Sequence, residues 1–248
     1  KGEVRFIVID GMVANGFESW LWDGSAAAGG WAEEGATIVQ IRPRYTLGPV
    51  RSLALLGDTP TRRKLLATIA ERAAADRAAA AGGKVVPLAG PQRRMSLQVA
   101  EAVAAKARAK GGDFREAFLA EYWRINVDQS IFLHEGRHVL DQAAAKAAGV
   151  EAVSDELEFT AKLSELRLGE IPKMSLMQID GELVGGDSSH GRANARVMTG
   201  IRDWMQAHAG EIDGYDPAQP ALLQVEKLTD AQIRAAAMAM DPWFAKQG

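Results

Sequence analysis

Residues 134–138 read His134-Glu135-Gly136-Arg137-His138, inside a run over 128–148 that begins at Asp128 and is followed by Gly149. An α-helix advances about 100° per residue, so His134 and His138 differ by about 40° and project from one face, one turn apart. Glu135 falls about 60° from His138, on the flank of that face. Phe132, Leu133, Gly136, Val139, Leu140, Ala143 and Ala147 fill the opposite arc. The sequence therefore predicts a helix over 128–148, capped by Asp128 and stopped by Gly149, that packs its apolar side and offers its histidines.

The next predicted helix opens at Ser154, runs to Leu168 and is closed by Gly169, with Pro172 beyond. Glu158 lies 20 residues after His138 and forms a helical stripe with Lys162 and Glu165. That stripe is flanked by Leu157, Ala161 and Leu168 on one side and by Phe159, Leu163 and Leu166 on the other. Carboxylates between packed flanks need a partner, because an unpaired buried charge is costly. A metal ion held by two imidazoles and one carboxylate supplies such a partner, and Lys162 in the same turn is the simpler one for Glu158. Glu158 and Glu165 share the stripe, so both stand as the acid that completes the set. Asp141, on the histidine face, either orients a ligating imidazole or meets solvent.

Outward from these two helices, the N-terminal part reads as strand and loop. Residues 4–10 and 36–42 are rich in β-branched side chains, and between them lies a glycine-rich loop over 11–35 with Trp20, Trp22 and Trp31. An alanine-rich helix spans 61–81 and stops at Gly82-Gly83, and residues 82–96 form a short strand or linker. Asp113 with Glu116 marks a helix start, Ser189 caps a helix over 190–209, and Thr229 with Gln232 caps a final short helix. These elements predict one α+β domain over 1–248, with possible sub-lobes 1–82 and 96–248.

Composition narrows the function classes. The 248 residues are 47% hydrophobic and 25% charged, with a net charge of -3, so the chain folds and lacks the cationic surface that phosphate backbones select. Nucleic acid is not an expected partner. There is no cysteine, which removes thiolate metal sites, disulfides and cysteine nucleophiles. No apolar run approaches the roughly 18 residues that span a bilayer. The first residue is Lys1 rather than Met, which favours a processed, exported chain.

His134-Glu135-x-x-His138 followed by Glu158 on the next helix resembles the gluzincin branch of the zincin metallopeptidases, with thermolysin-like spacing. That resemblance implies a zincin-like fold: a small N-terminal sheet and a mainly helical C-terminal part carrying the active-site helix. It implies zinc held by His134, His138 and Glu158, with Glu135 as general base. Arg137 stands where zincins usually have an uncharged residue, and Lys162 where many gluzincins have an acidic one.

Amide hydrolysis also needs a donor to the carbonyl oxygen that gains charge. His190, in the glycine-bounded segment before the predicted helix and close to Asp187, is the expected donor, with Tyr45, Tyr122 and Arg196 as weaker candidates. His208, near a helix end, is most simply a favourable dipole contact. The expected function is zinc-dependent hydrolysis of a peptide or protein substrate. The alternative is a zincin-derived module that binds a ligand or protein without catalysis, through the loop over 11–35.

Overall fold

The computed structural model describes residues 4–9, 30–33, 37–41, 47–181 and 187–242. Three strands, β1 (Arg5–Ile9), β2 (Gly30–Glu33) and β3 (Thr37–Ile41), form a sheet in the order β1-β3-β2. β1 runs parallel to β3 with Phe6 opposite Ile38, and β2 runs antiparallel to β3 with Trp31 opposite Val39. The two expected strands are present. β2 is an addition, formed where the sequence reads as loop, because a short segment gains its ladder from a strand already in place. The rest of the expected glycine and tryptophan loop, with Trp20 and Trp22, lies outside the described residues.

Nine α-helices come after the sheet among the described residues: α1 (Leu47–Leu53), α2 (Pro60–Ala81), α3 (Ala89–Lys110), α4 (Phe114–Val127), α5 (His134–Ala148), α6 (Ser154–Leu168), α7 (Pro172–Gly181), α8 (Ser189–Ala207) and α9 (Asp230–Met240). The domain is mostly helical with a small N-terminal sheet. None of the described helices is long and apolar enough to cross a membrane.

Local chemistry explains most boundaries. Thr59 caps α2 by accepting from the Arg62 N–H, with Pro60 at the first helical position. Asp113 caps α4 through the Glu116 N–H, Ser188 rather than Ser189 caps α8, and Thr229 with Gln232 makes a complete capping box on α9. Gly149 ends α5 in the left-handed conformation at φ 68°.

Three expectations are corrected. Residues 82–88 are a linker, the second of the two expected forms, but 89–96 are helical: α3 begins at Ala89, where Asp76 reaches across from α2 to accept from the Ala89 and Gly90 N–H groups. A capping residue 13 positions away leaves no signature in the local sequence. Pro172 opens α7, a short helix that the sequence does not announce. Asp128 does not cap a new helix. It has helical φ and ψ and lies in a single π-helical stretch, Asp128–Leu133, that joins α4 to α5 without a break. Such π-turns insert an extra residue into a helix and re-aim the side chains C-terminal to it.

Helix α6 is the hub of the helical part and packs against α5, α7, α8 and α9. Phe159, Leu163 and Leu166 bury one side of it in a core with Met95, Val197, Met198 and Ile233. Val127, Ile131 and β3 Ile38 join the sheet to the π-turn, and Phe6 stacks on Phe132 at 4.4 Å between ring centroids.

Candidate metal centre

The orientation of α5 reverses what its apolar arc predicts. His134, Glu135, Arg137 and His138 are buried, whereas Leu140 is 63% exposed and Phe132 42%. Burial of this polar face is offset by partners on neighbouring helices. Arg137 donates to Asp141 at 2.8 Å and to Asp241, beyond the end of α9, at 3.1 Å. Asp141 also accepts from Arg137 at 2.9 Å and is bonded by the Thr160 hydroxyl at 2.5 Å, so it does not orient a histidine. Arg137, the unusual residue inside the motif, therefore ties α5 to the C-terminal end of the fold.

On the same inward face, His134 Nε2 and His138 Nε2 stand 3.1 Å apart. Across from them, α6 presents Glu158, with Oε2 3.3 Å from His134 Nε2 and Oε1 3.5 Å from His138 Nε2. Ligand atoms at zinc distances of about 2.0–2.1 Å in a tetrahedron are about 3.3 Å from one another. The two imidazole nitrogens stand at about that spacing and each faces a different oxygen of Glu158, and a donor set of two imidazoles and one carboxylate suits a divalent ion. Among the described residues His134, His138 and Glu158 are a group that could hold a metal ion, one ligand atom from each lying within 4.8 Å of the others. Glu158 Oε2 is buried and makes no hydrogen bond of regular geometry, although His190 Nδ1 approaches it to 2.8 Å.

Glu165, the other carboxylate of the stripe, sits elsewhere. It is 1% exposed, and its Oε1 lies 2.7 Å from His134 Nδ1, the ring nitrogen turned away from Glu158. Lys162 Nζ is 3.3 Å from the same oxygen. Lys162 thus pairs with Glu165 rather than with Glu158 as the sequence suggests.

The protonation chemistry is set by this packing. Burial and the charge of Lys162 disfavour a proton on His134, but Glu158 and Glu165 outweigh them and hold its pKa at about 9. Burial raises Glu165, yet Lys162, His134 and Ser175 bring it down to about 2. Burial likewise opposes ionisation of Glu158, and the three histidines His134, His138 and His190 hold it far below the usual carboxylate range. The site is an ionised acid set around imidazoles, and a divalent ion would displace the proton of His134.

Glu135 is 7% exposed and makes no hydrogen bond or ion pair among the described residues. His190, in the first turn of α8, stands at the rim: its side chain is 59% exposed, and its ring centroid is 6.3 Å from that of His134. Glu158, not Asp187, is the acid against it. The weaker donor candidates are not brought to the cluster. Tyr122 is buried in a separate core with Phe118. Arg196 pairs with Glu156 and lies over the Phe159 ring at 3.7 Å. Tyr45 lies outside the described residues. His208 stacks on Trp204 and its Nδ1 bonds the Trp204 carbonyl at 2.9 Å, a helix C-terminal contact as expected.

Two surface cavities, of about 440 and 300 Å³, are lined respectively by an arginine-rich set that includes Arg62 and Arg108 and by residues around Leu88 and Leu222. Neither includes a histidine. Comparison with family models, with curated proteins and with solved structures returns no match.

Proposed function

We propose that this chain is a zinc-dependent hydrolase of the zincin type, gluzincin-like in its ligand set, acting on peptide or related amide bonds. The observation that carries this reading is the convergence of His134 Nε2, His138 Nε2 and the Glu158 carboxylate, with Glu135 buried on the same helix and unpaired among the described residues. Zinc, when bound, supplies Lewis-acid polarisation and lowers the pKa of water. His134 and His138 hold the ion from α5, and Glu158 holds it from α6. Glu135, one residue past the first ligand, accepts the proton of the attacking water and returns it to the leaving amine. His190 at the rim donates to the carbonyl oxygen as that atom gains charge.

A second reading, a zinc-binding module without turnover, draws on burial: His134, Glu135 and His138 are each less than a tenth exposed. Elemental analysis of purified protein tests what the two readings share. One zinc per chain is expected, lost in His134→Ala and His138→Ala. Full zinc content in the double variant overturns both.

A further inference from the structure

The cavity of about 300 Å³ beside Leu88 and Leu222 is lined by no member of the histidine cluster, and three stretches distant in sequence build it. The end of α2 with the linker over 82–88 forms one wall, α8 a second, and the 3-10 stretch Ala221–Lys227 a third. The Gly82-Gly83 stop of α2 makes the first wall possible. Gly83 takes the left-handed conformation at φ 71°, which turns the chain from α2 toward Val86 and Leu88.

The floor of this cavity is apolar and its rim is cationic. Leu88 is 2% exposed and Leu222 7%, and the half-buried Val86 packs against the same core. Lys84, Arg202 and Gln206 stand around the opening, with Lys84 and Gln206 exposed and Arg202 half-buried. No Asp or Glu lines the cavity among the described residues. Arg202 is held in place, because its Nε and Nη2 each lie 2.8 Å from Asp203 Oδ1 while Nη1 reaches the Gly83 carbonyl at 3.4 Å. Lys84 makes no hydrogen bond or ion pair among the described residues.

These features select the ligand. A buried floor of Val86, Leu88 and Leu222 gains from covering hydrocarbon and nothing from a hydrated ion. At the rim, an N⁺–H···O⁻ bond is shorter and stronger than a neutral one, so an anionic oxygen is favoured there. Asp203 already offsets part of the Arg202 charge, which leaves the rim suited to one negative charge rather than to a multiply charged phosphate. The volume stands at the small end of small-molecule sites, about 300–1,000 Å³. It suits a compact ligand, not a macromolecule.

We propose that this cavity binds a small monocarboxylic acid with an apolar body. The hydrocarbon lies on Val86, Leu88 and Leu222, the carboxylate bridges Lys84 Nζ and the Arg202 guanidinium, and Gln206 adds an amide donor at the same rim. The proposal stands apart from the zinc reading and does not depend on it.

Octanoate is the probe, titrated into the full chain by isothermal calorimetry. Acetate, which has the charge without the chain, and 1-octanol, which has the chain without the charge, are the comparisons. Octanoate should bind about 10-fold more tightly than either. Lys84→Ala and Arg202→Gln should each weaken it by about 3- to 10-fold. Ala81→Trp, which sets a large ring in the cavity from the exposed last residue of α2, should abolish binding. Ala74→Trp, at an exposed position of α2 outside the cavity, should bind as the wild type does, and thermal unfolding confirms that each variant is folded. The proposal is overturned if octanoate does not bind the wild-type chain, or binds folded Ala81→Trp and both rim variants as tightly. Octanol bound as tightly as octanoate overturns the carboxylate assignment, and acetate bound as tightly overturns the role of the apolar floor.

Discussion

Glu165 Oε1 lies 2.7 Å from His134 Nδ1 while Glu158 Oε2 lies 3.3 Å from His134 Nε2, so two carboxylates of one helix grip opposite nitrogens of one imidazole. They are two turns apart on α6, which places them on the same stripe, yet only Glu158 also reaches His138, at 3.5 Å. Only Glu158 thereby belongs to the group that could hold a metal ion, and Glu165 meets the ring behind it.

This division predicts the rank of two variants. Glu158→Ala removes a proposed ligand and should abolish stoichiometric zinc, whereas Glu165→Ala should weaken zinc by about 10- to 100-fold and leave it titratable. Isothermal titration of metal-free protein with zinc checks this. A greater loss in Glu165→Ala would exchange their roles.

Glu135→Gln separates hydrolysis from metal holding. The amide keeps the shape of the side chain but accepts no proton near neutral pH. Zinc content should stay at wild-type level, and the rate on a substrate found by peptide-library screening should fall by about 10²- to 10⁴-fold. A rate unchanged by the substitution would sink the general-base role and favour binding without turnover.

His190 should act late. As a donor to the transition state it contributes little to substrate affinity, so His190→Ala should lower kcat by about 10²-fold with KM and zinc content nearly unchanged. Its 2.8 Å approach to Glu158 Oε2 defines the competing outcome. Zinc affinity that falls along with kcat would make it a residue that positions Glu158.

Stability should fall as pH rises through neutrality because of a group outside the metal centre. Asp180 in α7 is 1% exposed with an unpaired Oδ2, and burial, helped by Asp76 and Glu226, overcomes a bond from the Leu88 N–H to push its pKa up to about 7. The folded state holds this proton more tightly than the unfolded chain, whose carboxyl has the ordinary value of 3.8. The contribution is thus fully present below that value and lost as pH rises through 7, with each pKa unit worth about 1.4 kcal/mol. Urea unfolding from pH 5 to pH 7 should show wild-type stability declining more steeply than that of Asp180→Asn. Parallel profiles for the two proteins would exclude Asp180 as the cause.

Elements with local causes were legible in the chain. The helical phase of His134 and His138, the Thr229–Gln232 capping box, the stop at Gly149 and the β-branched runs of β1 and β3 all depend on residues within a turn or two of one another, and each is present. The sequence also narrowed the acid to Glu158 or Glu165. Features that depend on distant partners were not legible there. Asp76 caps a helix other than its own, and Asp241 and Glu165 make it favourable to bury the polar face of α5 that amphipathic patterning alone would turn to solvent. A hydrophobic pattern records which side chains avoid water on average. It does not record that an arginine and two histidines have partners waiting on other helices, and those partners settle which face of α5 turns inward.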